Sequence, residues 1–346
     1  MRYPVETIKN FALKVLTSAG MKKEDAEICA DCLVTADMRG VHSHGMTHLK
    51  DICDRIEHGT IKIDSDIIIE QTAASALVVN ANFSAGMVSA MHAMEKCVEL
   101  AEKSGVAFTT IHNANTYGYG AYYPMYAAKK GMIGFSICNT KAYVAPYGGG
   151  TPALGTNPIS LALPARRYPN LVLDMATSQV AVNKIALAMK MGKEIPADWA
   201  VGPNGETTTD PALAYQGALL PFGGYKGYGL QLVISVLAYA LAGGAMDRDI
   251  PKAWVDVDKD CNFGCFMGAI DVSKFMPLDQ FKQREDALFE EIKSGVVAPG
   301  VNEILIPGER AYLEEQRALE EGVELADVVM EDFSHLAARY GMEERV

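Results

Sequence analysis

Apolar residues recur at helical spacing near both ends of the chain and gather into short runs between them. Val5, Ile8, Phe11, Ala12, Val15 and Leu16 make one stripe, and Gly20 stops that helix. A second helix is expected from about Lys22 to Met38, ending at Gly40. A third begins near Gly45, carries Met46, Leu49, Ile52 and Ile56 on one side and stops at Gly59. Beyond residue 70 the texture changes. Residues 77–80, 106–112, 133–139, 159–164 and 171–175 read as strands, with a helix over 86–103. Further helices are expected over 180–191, 227–246, 309–321 and 325–340. The pattern is that of an α/β protein with three parts. Residues 1–72 and 306–346 are helical pieces that pack together around an α/β middle, 73–305.

The stretch Gly227 to Met246 carries no charge, and its length borders on that of a membrane span. It is the only such stretch, and it holds Gln231, Ser235 and four glycines, so it reads as a helix buried in a large soluble core. Composition agrees: 346 residues, 49% hydrophobic and 21% charged, are ordinary for a folded enzyme. A net charge of -12 argues against nucleic acid and against an anionic membrane surface. The expected partners are a small-molecule substrate and copies of the chain itself. The opening Met1-Arg-Tyr-Pro-Val-Glu lacks an apolar signal core, which points to the cytoplasm. Seven cysteines include Cys29-x-x-Cys32 and Cys261-x-x-x-Cys265, a formal four-thiolate zinc set. Cys29 and Cys32 lie in a helical apolar pattern, which favours small buried thiols.

The densest chemistry is Arg39-Gly-Val-His-Ser-His-Gly-Met-Thr-His48, which places three of the seven histidines within seven residues. Imidazole titrates near physiological pH and also binds metals, so the cluster points to acid/base chemistry or to a metal held by His42, His44 and His48. Ser43 suits either a catalytic partner or the N-cap of the helix that follows. Glycine-rich segments stand at 145–158, 220–230 and 306–310, the second with Lys226 just before an apolar helix. They serve as tight turns, or as loops whose N–H groups hold phosphates. Gly148 to Ala153 is a formal G-x-G-x-x-A, but Pro152 and Pro158 prevent a helix from opening there. It is a loop and not a Rossmann fingerprint.

Arg39-Gly40 with Ser43-His44-Gly45, then Gly155-Thr-Asn-Pro158, Asp174-Met-Ala-Thr-Ser178, Gly224-Tyr-Lys-Gly227 and Pro307-Gly-Glu309 resemble the malate/L-lactate dehydrogenase family of non-Rossmann type. The motifs stand in family order over nearly the whole chain. The resemblance implies a homodimer in which NAD or NADP lies on a mostly antiparallel sheet in the middle part, with a separate helical domain from both chain ends. It implies hydride transfer between nicotinamide and a 2-oxo acid or an imino acid. His44 would protonate the substrate's oxygen or nitrogen, supported by Ser43. Tyr117, Gly118, Thr140, Thr156, Asp174, Met175, Ala176, Lys226 and the turn Pro307-Gly308-Glu309 would contact the cofactor. Lys184 would stand near the substrate, or on the cofactor side or the surface.

The chain departs from the family pattern at three positions. His48 stands where members carry arginine, Thr116 where they carry a histidine and Asn183 where they carry a glycine. In a helical segment His48 would share a face with His44 and still line the site, as would Thr116. Arginine grips a carboxylate bidentately and is always charged, and histidine is neither. The expected substrate is therefore unusual for the family, either a bulkier 2-oxo acid or one whose anion is bound elsewhere. An anion held by protonated His48 would bind more weakly as pH rises through about 6.5. Two rival functions stand beside this one: a metal enzyme built on the histidine cluster, and a cofactor-binding protein with little catalysis.

Overall fold

The computed structural model describes residues 2–342; the expected helical pieces reach Met1 and residues 343–346, which lie outside the described residues. In chain order the elements are β1 (Arg2–Tyr3), α1 (Val5–Ser18), α2 (Lys23–Met38), α3 (Leu49–Glu57), β2 (Ile68–Ala73), β3 (Ala76–Asn80), α4 (Gly86–Ser104), β4 (Val106–Ala114), α5 (Tyr122–Lys129), β5 (Met132–Cys138), β6 (Ile159–Leu163) and β7 (Leu171–Met175). There follow α6 (Val182–Met191), β8 (Ala200–Val201), α7 (Pro211–Gln216), β9 (Ala218–Leu219), α8 (Tyr225–Ser235), β10 (Phe263–Asp271), α9 (Leu278–Lys293), α10 (Glu309–Glu321), β11 (Val323–Glu324) and α11 (Asp327–Arg339).

Seven strands form the main sheet in the order β2-β3-β4-β10-β5-β6-β7. Only β3 and β4 run parallel, joined by the crossover helix α4; every other pair is antiparallel. The fold is therefore α/β with a mostly antiparallel sheet. Its central strand β10 was not anticipated from the sequence. Phe263–Asp271 is buried on both faces, so it lacks the alternation that marks a half-exposed strand, and Gly264 and Gly268 break up its apolar run. Strand β2 and helices α5, α7 and α9 were likewise not anticipated.

Helices from the two chain ends share a core in which Phe11, Leu16, Leu33 and Leu49 meet Phe333 and Leu336. Strand β1 pairs with β11 and ties the ends together, Tyr3 opposite Val323. A second core lies between the sheet and α4, and a small third one joins α6, α7, β8 and β9. All seven cysteines are buried free thiols.

The uncharged stretch after Gly227 departs from expectation. Helix α8 passes into a π-helical segment over Val236–Leu241 instead of running on as one α-helix. It is not enclosed by apolar neighbours. Gln231 and Ser235 face inward, whereas Leu232, Val233, Val236, Tyr239 and Leu241 stand at the surface, Val236 with 52% exposure. The polar residues are the buried ones because they bond to the loops beneath, Gln231 to the Thr177 carbonyl and Ser235 to Asp247. Among the described residues no helix is long and apolar enough to cross a membrane.

Candidate active site

The histidine segment is two tight turns, His42–His44 and Met46–His48, inserted between α2 and α3. The helix expected from Gly45 begins only at Leu49. Ser43 is therefore not its N-cap; His48 occupies that place. What shapes the segment is Asp37, buried in the last turn of α2. One of its oxygens lies 2.8 Å from His42 Nδ1, and the other accepts the Met46 N–H at 2.6 Å. The carboxylate thus grips both sides of the Ser43-His44 pair. It also explains Gly45, where a Cβ would run into that carboxylate.

Ser43 Oγ lies 2.9 Å from His44 Nδ1, which leaves Nε2 of His44 for another partner. His44 is open to solvent at the surface of the segment yet walled by protein on most sides. Burial pulls its pKa down to about 4, and neighbouring His48 adds to the effect. The imidazole is neutral at pH 7. His42 is shifted the opposite way, upward, chiefly by its hydrogen bond to Asp37. His48 does not present a ring nitrogen to the site as expected. Its Nε2 lies 2.8 Å from the Ser43 carbonyl, its Nδ1 lies 2.9 Å from the Asp51 carboxylate, and its ring stacks 3.8 Å from that of Trp254. Because His42 and His48 are each committed to an aspartate, the three imidazoles do not form a ligand set. Among the described residues no three His, Cys, Asp or Glu side chains converge to hold a metal.

The segments expected to hold a cofactor meet elsewhere. Thr140 Oγ1 accepts the Thr156 N–H at 2.9 Å and lies 3.3 Å from Thr156 Oγ1; the Thr140 N–H in turn reaches the Asn157 side chain at 3.0 Å. Thr177 laces the end of β7 to the same place through the carbonyls of Thr156 and Asn157. Beneath them is Asp247, which sequence reasoning missed. Its carboxylate is 2% exposed and takes four donors: Asn139 Nδ2, the Gly155 N–H, Asn157 Nδ2 and Ser235 Oγ. Four hydrogen bonds stand in for a cation and make the buried charge tolerable. Through Ser235 the same group fixes α8, which carries Lys226. Lys226 is exposed in the first turn of α8, separated by Tyr225 from Gly223 and Gly224, both at positive φ.

Met175 and Ala176 are half-buried at the end of β7. Asp174 is exposed along part of its surface, yet its carboxyl is hydrogen-bonded by Ser160 and crowded by protein, which raises its pKa to about 6 against the opposing pull of the Ser160 hydroxyl and the Ala121 N–H. The turn Pro307-Gly308-Glu309 docks on the start of β7 through the Val172 N–H, which donates to the Pro307 carbonyl. Glu309 is taken up by Lys293 and the Ile306 N–H, so its carboxylate holds the turn closed. Thr116 is half-buried in a loop pinned by Asn115, whose amide bonds the carbonyls of Thr60, Phe83 and Ser84. Tyr117, expected at the cofactor, is instead buried beneath that loop and stacked on Tyr123, and Gly118 is buried against Met87. Lys184 is exposed on α6, beside the third core. A groove of about 1070 Å³ along α2, α5 and α10 reaches Arg39 and Val172 but not His44.

The sequence signal that would have found Asp37 is its position just before Arg39-Gly40, within reach of the histidine turns. Asp247 had none, because its partners come from distant segments.

Comparison with known proteins places this architecture. The chain is 36% identical to the malate dehydrogenase of Pyrococcus horikoshii over 351 residues, covering 99% of this chain and 96% of the relative. It is 34% identical to the ureidoglycolate dehydrogenase (NAD(+)) of Escherichia coli K12 over 327 residues, covering 94% of this chain and 93% of that one. The solved sulfolactate dehydrogenase of Methanocaldococcus jannaschii superposes with a TM-score of 0.94 at 35% identity, covering 99% of this chain and 98% of that one. The model of the malate/L-lactate dehydrogenase family matches residues 3–334, and the chain belongs to that family.

Proposed function

We propose that this chain is an NAD- or NADP-dependent dehydrogenase that interconverts a 2-hydroxy acid and its 2-oxo acid, with His44 moving the proton. The observation that carries this reading is the Ser43-His44 pair: a neutral imidazole, open at Nε2, held by Asp37. Malate, sulfolactate and ureidoglycolate, the acids named for the relatives, are all 2-hydroxy acids, which supports the substrate class.

The residues present fit a dinucleotide. Exposed Lys226 in the first turn of an 11-residue helix, preceded by two left-handed glycines, suits a pyrophosphate. Thr140, Thr156, Asp174, Met175, Ala176 and the 307–309 turn would hold the remainder. When bound, the nicotinamide supplies or takes up the hydride. This chain's own contribution is the proton. With a pKa near 4, His44 is a base at neutral pH and takes the hydroxyl proton of the hydroxy acid at Nε2 as the C–H bond breaks. In reduction the same atom returns it. Ser43 steadies Nδ1 and so keeps Nε2 directed at the substrate oxygen.

Two copies are proposed to pair through the exposed apolar face of α8 and its π-helical segment, with Leu187 and Met189 of α6 exposed as well. Seven reduced, buried cysteines suit a cytoplasmic setting. The test of activity is absorbance at the nicotinamide band with each cofactor across a panel of 2-oxo acids, with and without ammonia. His44→Ala should lose turnover and keep cofactor affinity; full activity in that variant would refute the proton role. Sedimentation of Val236→Glu checks the pairing, with a monomer expected where the unaltered chain is a dimer.

A further inference from the structure

His48 is held at both nitrogens and across one face of its ring. His48 has no ring nitrogen to spare. Nε2 faces the Ser43 carbonyl at 2.8 Å, and Nδ1 faces the Asp51 carboxylate at 2.9 Å. Both partners are acceptors, so the ring satisfies both only when it carries both protons. Its face lies on Trp254 at 3.8 Å with an interplanar angle of 11°. Trp254 is itself firmly held. Its loop is bound by fully buried Arg55, which donates to the carbonyls of Ala253, Asp256 and Lys259, and by Thr60, whose hydroxyl reaches the Val257 carbonyl. Arg55 also donates to Asn115, which pins the loop of Thr116. A continuous chain of contacts thus runs from Arg55 through Trp254 and His48 to the backbone of Ser43.

We infer that His48 is a positioning residue, holding Ser43 and therefore His44 between Trp254 and Asp51, and that it is not the group that binds the substrate's anion. This rests on the proton-transfer reading of His44. Asp37 braces the turns on both sides of the Ser43-His44 pair through His42 and the Met46 N–H, and His48, itself held by Asp51, adds a hold on the Ser43 carbonyl. A group so committed cannot turn to grip a carboxylate without releasing Ser43. A substrate carboxylate is then recognised by a residue other than His48.

The test uses the full-length chain. Trp254→Ala leaves both hydrogen-bond partners of His48, the Ser43 carbonyl and Asp51, in place and removes the surface behind its ring. His48→Phe keeps the stack and removes both hydrogen bonds. Each is expected to lower kcat by about tenfold to 100-fold with KM changed less than threefold, since a misplaced acid/base group costs rate and not binding. Trp254→Phe should recover most of the loss. If His48→Phe instead raises KM tenfold or more at unchanged kcat, and Trp254→Ala has no effect, His48 binds the anion and the inference fails. A second readout needs no substrate. The His44 ring proton, followed by NMR, should titrate closer to 6.5 in the Trp254→Ala protein than in the unaltered chain, as His48 releases Ser43 and with it His44. A midpoint unchanged from that of the unaltered chain, in a variant with unaltered melting behaviour, overturns the inference, whether or not the proposed reaction has been observed.

Discussion

Two buried aspartates organise the two halves of the site, and they do so over very different distances along the chain. Asp37 acts locally. It holds His42 five residues on and the Met46 N–H nine residues on, so its loop closes over a single tight reversal. Asp247 gathers partners 108, 92, 90 and 12 positions away, at Asn139, Gly155, Asn157 and Ser235. The first is a local turn with a carboxylate staple. The second exists only once sheet, loops and α8 have come together. Loop-closure entropy makes the first inexpensive and ties the second to the whole fold. The proposed proton-transfer half of the site can therefore be disturbed with the molecule intact, whereas the proposed cofactor half cannot.

The largest expected effect follows from that difference. Asp247→Ala strands four donors in a buried pocket and should cost about 3–5 kcal/mol in urea unfolding. Asp37→Asn keeps one acceptor of two and should cost about 1–2 kcal/mol, while lowering kcat by about tenfold or more. If both variants lost equal stability, reach along the chain would not be what separates the two halves.

The same contrast governs what could be read from the residues alone. The stripe from Val5 to Leu16, the run 171–175 and the cluster Ser43-His44 are local words, legible because the signal lies within one turn or one strand. Strand β10 was hidden because its burial on both faces removes the alternation that announces a strand. Helix α8 was misjudged because its inward face is polar: Gln231 and Ser235 serve loops more than 50 and about 10 residues away, which no window over the helix reveals. His48 was placed on a helix with His44, but a segment of tight turns brought its ring back to the Ser43 carbonyl. The carboxylates show the split most plainly, since Asp37 has its partners in the adjoining words and Asp247 has none within ten residues.

A pH profile sharpens the local half. Burial lowers the His44 pKa to about 4, so the neutral base persists well into acid. For oxidation of a hydroxy acid, kcat/KM should be level from pH 5 to 7 and fall tenfold per unit below about 4. A limb centred near 6.5 would mean that the protein around His44 does not disfavour its charged form, and the clamp of Asp37 and His48 would lose its electrostatic consequence. Reduction should follow the opposite sign, slowing as pH rises above about 4, because the protonated ring is then the reactant.

The smallest effect comes from a third buried carboxylate, which serves as the control for the other two. Glu285 on α9 is 8% exposed, and neither of its oxygens has a hydrogen-bond partner among the described residues. Burial, with a further push from Asp286, raises its pKa to about 7 against the pull of Lys282. The folded chain then holds this proton more tightly than the unfolded chain, whose glutamate ionises near 4.5. Between these values unfolding releases a proton, so this group's contribution is fully present below 4.5 and is lost as pH rises through about 7. Glu285→Gln keeps the shape and removes the titration. It should stabilise the chain at pH 8 by about 1–2 kcal/mol, after allowance for solvent screening at the edge of α9, and change little at pH 4.5. Thermal melts at the two pH values decide it. Equal shifts at both would show that Glu285 is ionised in the folded chain without donors, and hydrogen bonds would then no longer be what sets Asp37 and Asp247 apart from it.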